Sequence, residues 1–288
     1  MKSVAILGPG LLGGSIALAL REDPETNVRL WARRTEALEE ARGLAVADLV
    51  TGSVEEAVEG ADTVVLCVPV VAMEGVLHQA LPKLSPSALV TDVGSVKRSV
   101  CEVLAPLLAE RALFVGSHPM AGSEKAGLAA ARADLFVNAV CILTPEPGQT
   151  KPAACERAEV FWTRLGCRVR SLSPQTHDEV CALISHLPHL TAAALVQNVA
   201  VACPEAFGFC GPGFRDSTRI ASGLPSMWTE ILSSNRGAVA GSLRRLIGIL
   251  EPLATHLEGG GSEAEAAIQE FLASAKERRD GLSPATII

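Results

Sequence analysis

The chain has 288 residues, 48% of them apolar and 20% charged, which suffices for a sizeable core and is too apolar for a disordered chain. That length admits two ordinary domains or one large one. A formal charge of −7 with no evident basic face offers phosphate backbones no surface, so no nucleic-acid partner is expected.

At the N-terminus, Lys2 and the apolar run to Leu20 have the outline of a signal peptide, but Gly8, Pro9, Gly10, Gly13 and Gly14 interrupt it. No other segment approaches a membrane span of about 20 apolar residues. The expectation is a soluble, cytoplasmic protein with no membrane partner. Up to about residue 172, short β-branched runs alternate with amphipathic segments, and strands are expected at 4–7, 28–31, 63–68, 89–92, 113–116, 140–143 and 168–172. A helix from Val96 carries Val100, Val103, Leu104 and Leu107 on one stripe. Ser53, with Glu56 three residues on, reads as a capping box. This alternation predicts an α/β fold, with a Rossmann-type doubly wound, mostly parallel sheet covered on both faces. After Pro174 the strand signals stop. Val239, Leu243, Leu246, Ile247 and Leu250 form a helical stripe, a further helix is expected over 263–278, and Gly259, Gly260 and Gly261 form the loop between them. Residues 1–172 are therefore expected to form a dinucleotide-binding domain and 173–288 an all-helical C-terminal domain. Cys67, Cys101, Cys141, Cys155, Cys167, Cys181, Cys203 and Cys210 show no CxxC spacing, so they read as reduced cytosolic core thiols rather than a metal or dithiol site.

Gly8-Pro9-Gly10-Leu11-Leu12-Gly13 follows the first strand and opens a helix. In that context the first glycine permits a tight turn, the second lets backbone approach a pyrophosphate, and the third allows close helix–strand packing. The helix N-terminus adds amide donors and a positive dipole. A glycine-rich turn without ligand is the plainer alternative. At the end of the second strand an acid would bind the ribose 2′-hydroxyl of NAD, whereas arginine accommodates the 2′-phosphate of NADP. The chain reads Trp31-Ala32-Arg33-Arg34, which favours NADP over NAD unless the two arginines are only solvated charges. The nucleotide-binding set is then Gly8, Gly10, Leu11, Leu12, Gly13, Arg33 and Arg34, with Ser95 from the next cluster.

Two polar clusters follow strands at the edge where open parallel sheets bind ligands: Asp92-Val93-Gly94-Ser95-Val96-Lys97, and a loop from Gly116 to Lys125 that holds His118. A histidine with a hydroxyl nearby can take the proton of an alcohol while hydride leaves the same carbon, and it would titrate near roughly pH 6–7. From pattern alone, Ser95 serves equally well as a helix cap and His118 as a packed loop histidine.

DVGSVK, GSHPMAGSEKAG, SHLPH and FRDSTRIASGLPSMW, in that order after GPGLLGGS, resemble the prephenate/arogenate dehydrogenase family over nearly the whole chain. The resemblance implies a Rossmann domain followed by a helical dimerisation domain, a homodimer, and NAD(P)-dependent oxidative decarboxylation of a dicarboxylate, prephenate or L-arogenate. It makes His118 the catalytic histidine on the ring hydroxyl and Ser95 the serine that assists it. It also makes Arg219 the arginine that grips a substrate carboxylate and His189 a histidine near the substrate, with Glu124, Asp216 and Trp228 shaping or gating the pocket. A dianionic substrate suits a bidentate guanidinium such as Arg219, while Arg215, one helical turn earlier, reads as exposed. Many relatives carry an acid where this chain has Ala32, so cofactor preference does not carry over. The side chains of the two substrates differ only at a keto or amino carbon, and His189 inclines the reading to prephenate. Two other readings compete. A β-hydroxyacid dehydrogenase or imine reductase would use a lysine in the helical half, and residues 173–275 contain none. A non-catalytic NADP sensor would need none of His118, Ser95 and Arg219.

Overall fold

The computed structural model describes residues 2–122 and 125–282. The chain divides into two compact units, Met1–Ala238 and Val239–Ile288. In the first, β1 (Ser3–Leu7), β2 (Asn27–Trp31), β3 (Leu49–Thr51), β4 (Thr63–Leu66), β5 (Leu89–Asp92) and β6 (Leu113–Phe114) form a parallel sheet in the order β3-β2-β1-β4-β5-β6. The order reverses between β1 and β4, the switch point at which open α/β sheets hold nucleotides. Leu7 lies opposite both Trp31 and Leu66, so these three strands end level and open onto one edge.

Side chains of a strand alternate between faces. Val4 and Ile6 therefore join one core with Ile16 and Leu20 of α1 (Leu11–Arg21) and with Phe161 and Trp162 of the later helix Pro152–Arg164. Ala5 and Leu7 enter the other core. There they meet α3 (Val54–Val58), Met73 and Leu77 of α4 (Val70–Ala80), and Val100 and Leu104 of α5 (Arg98–Leu108). The short α2 (Thr35–Gly43) precedes β3. Because both faces are covered, the strands read as apolar runs.

The expected strand over 113–116 is two elements. β6 stops at Phe114, and β7 (Gly116–Pro119) enters a second sheet, antiparallel to β8 (Val140–Thr144), which runs parallel to β9 (Arg168–Ser171). Between β8 and β9 lies α6 (Pro152–Arg164). A Cβ on Gly116 would sit 2.6 Å from Thr144 Oγ1, so glycine is what lets β7 close onto β8. His118 is thus on a strand and not in a loop. The three-residue β3 has too little sequence signal to be anticipated. Only half of the expected capping box forms. Ser53 Oγ accepts from Glu56 N at 3.1 Å, but the Glu56 carboxylate accepts from Thr51 Oγ1, and Ser53 N donates to Thr51 Oγ1.

Among the described residues no strand follows β9. Pro174–Ala202 is one continuous helix of 29 residues, built from α7 (Pro174–Cys181), a π-helical turn (Ala182–His186) and α8 (Leu187–Ala202). Its mean hydropathy reaches 1.4, long and apolar enough to cross a membrane by length and composition alone. This corrects the sequence expectation that no second segment approaches such a span: His177, Asp178, His186 and His189 break the apolar run to the eye, yet all four are buried. Then come α9 (Pro212–Thr218), a 3-10 turn (Arg219–Ser222) and α10 (Pro225–Ser234). α11 (Arg236–Gly259) supplies the first helix of the second unit, and α12 (Gly261–Asp280) the other. Gly260 turns between them at φ +63, a left-handed backbone that favours glycine.

Candidate active site

At the level edge of β1, Gly8 turns the chain at φ +127. A Cβ on Gly8 would lie 2.6 Å from Cys67 O, and one on Gly13 only 2.0 Å from Gly8 O. One on Gly10 would meet nothing within 4 Å. The protein's own packing therefore requires the first and third glycines, whereas Gly10 keeps an approach open. Leu11 and Leu12 begin α1, Gly10 gives no side-chain cap, and the first turn holds no acid. Main-chain donors and the helix dipole stay available to an anion. This cradle fits a dinucleotide pyrophosphate. Gly8 N donates to Trp31 O at 3.1 Å and ties the end of β2 to the turn; beyond it Ala32 is buried, and Arg33 and Arg34 are exposed.

The loop after β5 is fastened by a fully buried ion pair between Asp92 and Lys97. Such a pair is tolerated inside only when its remaining hydrogen-bonding capacity is met. Here Asp92 accepts from Gly94 N at 2.8 Å and Ser117 N at 3.1 Å, and Lys97 Nζ donates to Ser117 O at 2.9 Å. β7 is thereby held against the loop that carries Ser95. Ser95 is half-buried, and among the described residues no hydrogen bond joins it to His118.

His118 instead meets α7. Its Nδ1 is 2.8 Å from His177 Nε2, and His177 Nδ1 is 2.7 Å from Asp178 Oδ1. The main-chain N–H groups of Lys97 and Arg98 donate to the two Asp178 oxygens at 2.7 and 3.0 Å, so Asp178 caps α5 from outside that helix. Asn235 Nδ2 donates to Asp178 O at 2.7 Å and fixes the end of α10 to α7. An accepting carboxylate assigns the His177 proton to Nδ1 and leaves its Nε2 bare. His118 Nδ1 must then be the donor, and His118 Nε2 keeps its lone pair. Burial, with the nearby His177, Lys97 and His186, holds His118 well below the usual 6.5. Burial also lowers His177, against the opposing bond to Asp178. In both rings burial favours the neutral form, which is the state a proton acceptor needs.

A second group surrounds α8. Burial pushes His186 down to about 4, and its Nδ1 is 3.2 Å from Asn235 Nδ2. His189 stacks on Trp228 of α10 with centroids 3.5 Å apart and planes 10° apart. A Cβ on Gly223 would lie 2.4 Å from Trp228 Nε1, so the stack depends on that glycine. Burial lowers His189, opposed by the Ile220 main chain, which places the turn bearing Arg219 beside it. Arg219, Asp216 and Arg215 are exposed and Trp228 half-buried, while Glu124 lies outside the described residues. Sequence spacing did not reveal His177, Asp178 or Asn235 as parts of this site, and it gave no role to Lys97 and His186, which lie within the DVGSVK and SHLPH motifs. The available signal was Ser173-Pro174 opening a helix whose first turns carry adjacent ionisable groups.

Comparison with known proteins yields two family profiles. One, described as the nucleotide-binding domain of prephenate dehydrogenase, matches residues 16–171, and the other, described as its dimerization domain, matches residues 173–274. The chain is similar to a cyclohexadienyl dehydrogenase of Zymomonas mobilis, 35% identical over 96% of this chain and 95% of that one. It is also similar to a prephenate dehydrogenase of Bacillus subtilis, 37% identical over 98% of this chain and 76% of the other. Among solved structures, the prephenate dehydrogenase of A. aeolicus in complex with hydroxyphenyl propionate and NAD+ superposes with a TM-score of 0.90 at 33% identity, covering 98% and 99% of the two chains.

Proposed function

The chain belongs to the prephenate dehydrogenase family, a family of oxidoreductases, and from that premise we propose that it oxidatively decarboxylates prephenate to 4-hydroxyphenylpyruvate, with NADP preferred, in tyrosine biosynthesis. The observation that carries this reading is the bare Nε2 of His118, made a hydrogen-bond acceptor by the His177–Asp178 pair. The nicotinamide, when bound, supplies the hydride acceptor. His118 Nε2 takes the proton of the ring hydroxyl as the ring carbon is oxidised, and returns it as the phenol forms. Ser95 holds the same oxygen. Arg219 pairs with a substrate carboxylate, and His189, Asp216, Glu124 and Trp228 border the substrate. Loss of carbon dioxide makes the ring aromatic, so positioning is most of what the protein must provide.

Residues 1–172 serve as the nucleotide-binding domain and 173–288 as the substrate-binding and dimerisation domain of a soluble, cytoplasmic homodimer. Gly8, Gly10, Leu11, Leu12 and Gly13 receive the pyrophosphate, with Ser95 beside the nicotinamide. The NADP preference rests on Ala32 standing where an acid would bind a ribose, and on the exposed Arg33 and Arg34 after it. Steady-state rates with prephenate and arogenate, each with NADP and NAD, test the assignment. Prephenate with NADP should give the highest kcat/KM. Replacing Arg33 and Arg34 by alanine should weaken NADP by about tenfold or more per lost contact and leave NAD nearly unchanged. Equal affinity of the parent for both cofactors would contradict the preference.

A further inference from the structure

The proposed reaction leaves one feature of the site unused. Cys181 lies one helical turn after His177, on the same face of α7, and both point at the same edge of His118. Its Sγ is 3.4 Å from His177 Nε2 and 3.8 Å from His118 Nδ1, while the two nitrogens are 2.8 Å apart. Among the described residues these three form the one group of at least three His, Cys, Asp or Glu ligand atoms within 4.8 Å of one another. The cysteine spacings gave no sign of it, because the first histidine precedes the second by 59 residues.

We propose that His118, His177 and Cys181 form a binding site for a thiophilic divalent cation, Zn2+ by donor chemistry, and that its occupancy silences the enzyme. Two imidazoles and a thiol are a zinc donor set, with a fourth position left open. The three atoms lie on a circle of about 2.0 Å radius, and Zn–N and Zn–S bonds of about 2.0–2.1 and 2.3 Å would seat the ion on or just above their plane with little movement. A zinc-bound histidine usually donates its other ring N–H to a carboxylate, and His177 already does so to Asp178 at 2.7 Å. That carboxylate is itself fixed by the N–H groups of Lys97 and Arg98. An ordinary core cysteine needs none of these partners.

The protons balance without any change of oxidation state. On binding, the Cys181 S–H bond breaks, sulfur keeps the electron pair for the metal, and one proton leaves to solvent. His177 Nε2 already offers a lone pair. His118 gives its Nδ1 lone pair to the metal, and the Nδ1 proton is replaced, through solvent, by one on Nε2. His118 Nε2 is then an N–H donor and can no longer accept the proton of a substrate hydroxyl. Inhibition follows from the tautomer even though the ring does not move. This inhibitory half rests on the proposed dehydrogenase reading with His118 as base, whereas the binding half does not.

Cobalt separates the two halves. Intact, chelator-treated protein titrated with Co2+ should show a thiolate-to-cobalt charge-transfer band and visible ligand-field bands of a four-coordinate site, saturating at one ion per chain and removed by zinc. Co2+ should inhibit turnover with the same midpoint as its charge-transfer band, Zn2+ should inhibit at lower concentration, and EDTA should restore activity. Cys181→Ser should lose the charge-transfer band and weaken zinc inhibition by more than about tenfold, and Cys181→Ala should do the same if the serine variant folds poorly. Substituting the exposed Cys203 by serine should change neither readout. A charge-transfer band that survives in both Cys181 variants, or that disappears with Cys203→Ser, overturns the site. A normal cobalt spectrum with turnover indifferent to zinc overturns the inhibitory half alone, whereas loss of the base role of His118 would show independently as full turnover in His118→Asn.

Discussion

His118 takes its tautomer from the residues behind it. Asp178 fixes the proton of His177, His177 fixes that of His118, and the free lone pair faces away from both. Histidine alone would titrate near pH 6–7, and that is what the sequence leads one to expect. Burial moves the group the other way, below its usual 6.5. A base works only when deprotonated, so turnover lost on acidification should be lost below pH 6.5 and stay level from there through neutrality. His118→Asn should lower kcat by roughly 10²–10⁴-fold with a much smaller effect on substrate affinity, and should abolish the acid limb. His177→Asn should lower kcat less and leave KM nearly unchanged, because His118 would remain but lose the partner that selects its tautomer. A His118→Asn enzyme with full turnover and an unaltered pH–rate profile would make that histidine structural.

At the level of elements, the glycine turn separates packing from binding. Gly13→Ala drives a Cβ into the carbonyl oxygen of Gly8, 2.0 Å away, whereas Gly10→Ala meets no protein atom within 4 Å. Thermal melting should therefore fall clearly for Gly13→Ala and hardly move for Gly10→Ala, yet both should bind cofactor weakly by fluorescence titration. Unimpaired cofactor binding by Gly10→Ala would remove the pyrophosphate from this turn. The turn and the parallel strands were legible in the sequence because each is written locally, in glycine spacing and in apolar runs buried on both faces. β7 was not, since its identity depends on Gly116 meeting Thr144 across the second sheet. The partners of His118 were hidden for the same reason: nothing near residue 118 announces a helix 59 residues later. The long helix Pro174–Ala202 was concealed by the very histidines that make it part of the site.

For the whole molecule, the second unit leaves Ile247, Ile249, Leu250 and Leu257 of α11 and Leu272 of α12 about half exposed or more. These apolar faces lie in the stretch that matches a dimerization domain, and burying such surface is the usual reason for two-fold assembly. Light scattering should give twice the 30.0 kDa of one chain at micromolar concentration, and a monomer there would contradict the homodimer. The most direct test of the central claim follows one turnover's products in the purified, metal-free enzyme, counting carbon dioxide released from prephenate against NADPH formed. The account predicts one of each per prephenate consumed, with 4-hydroxyphenylpyruvate as the organic product. Bound nucleotide with no reduction, and no carbon dioxide from prephenate or arogenate, would contradict it.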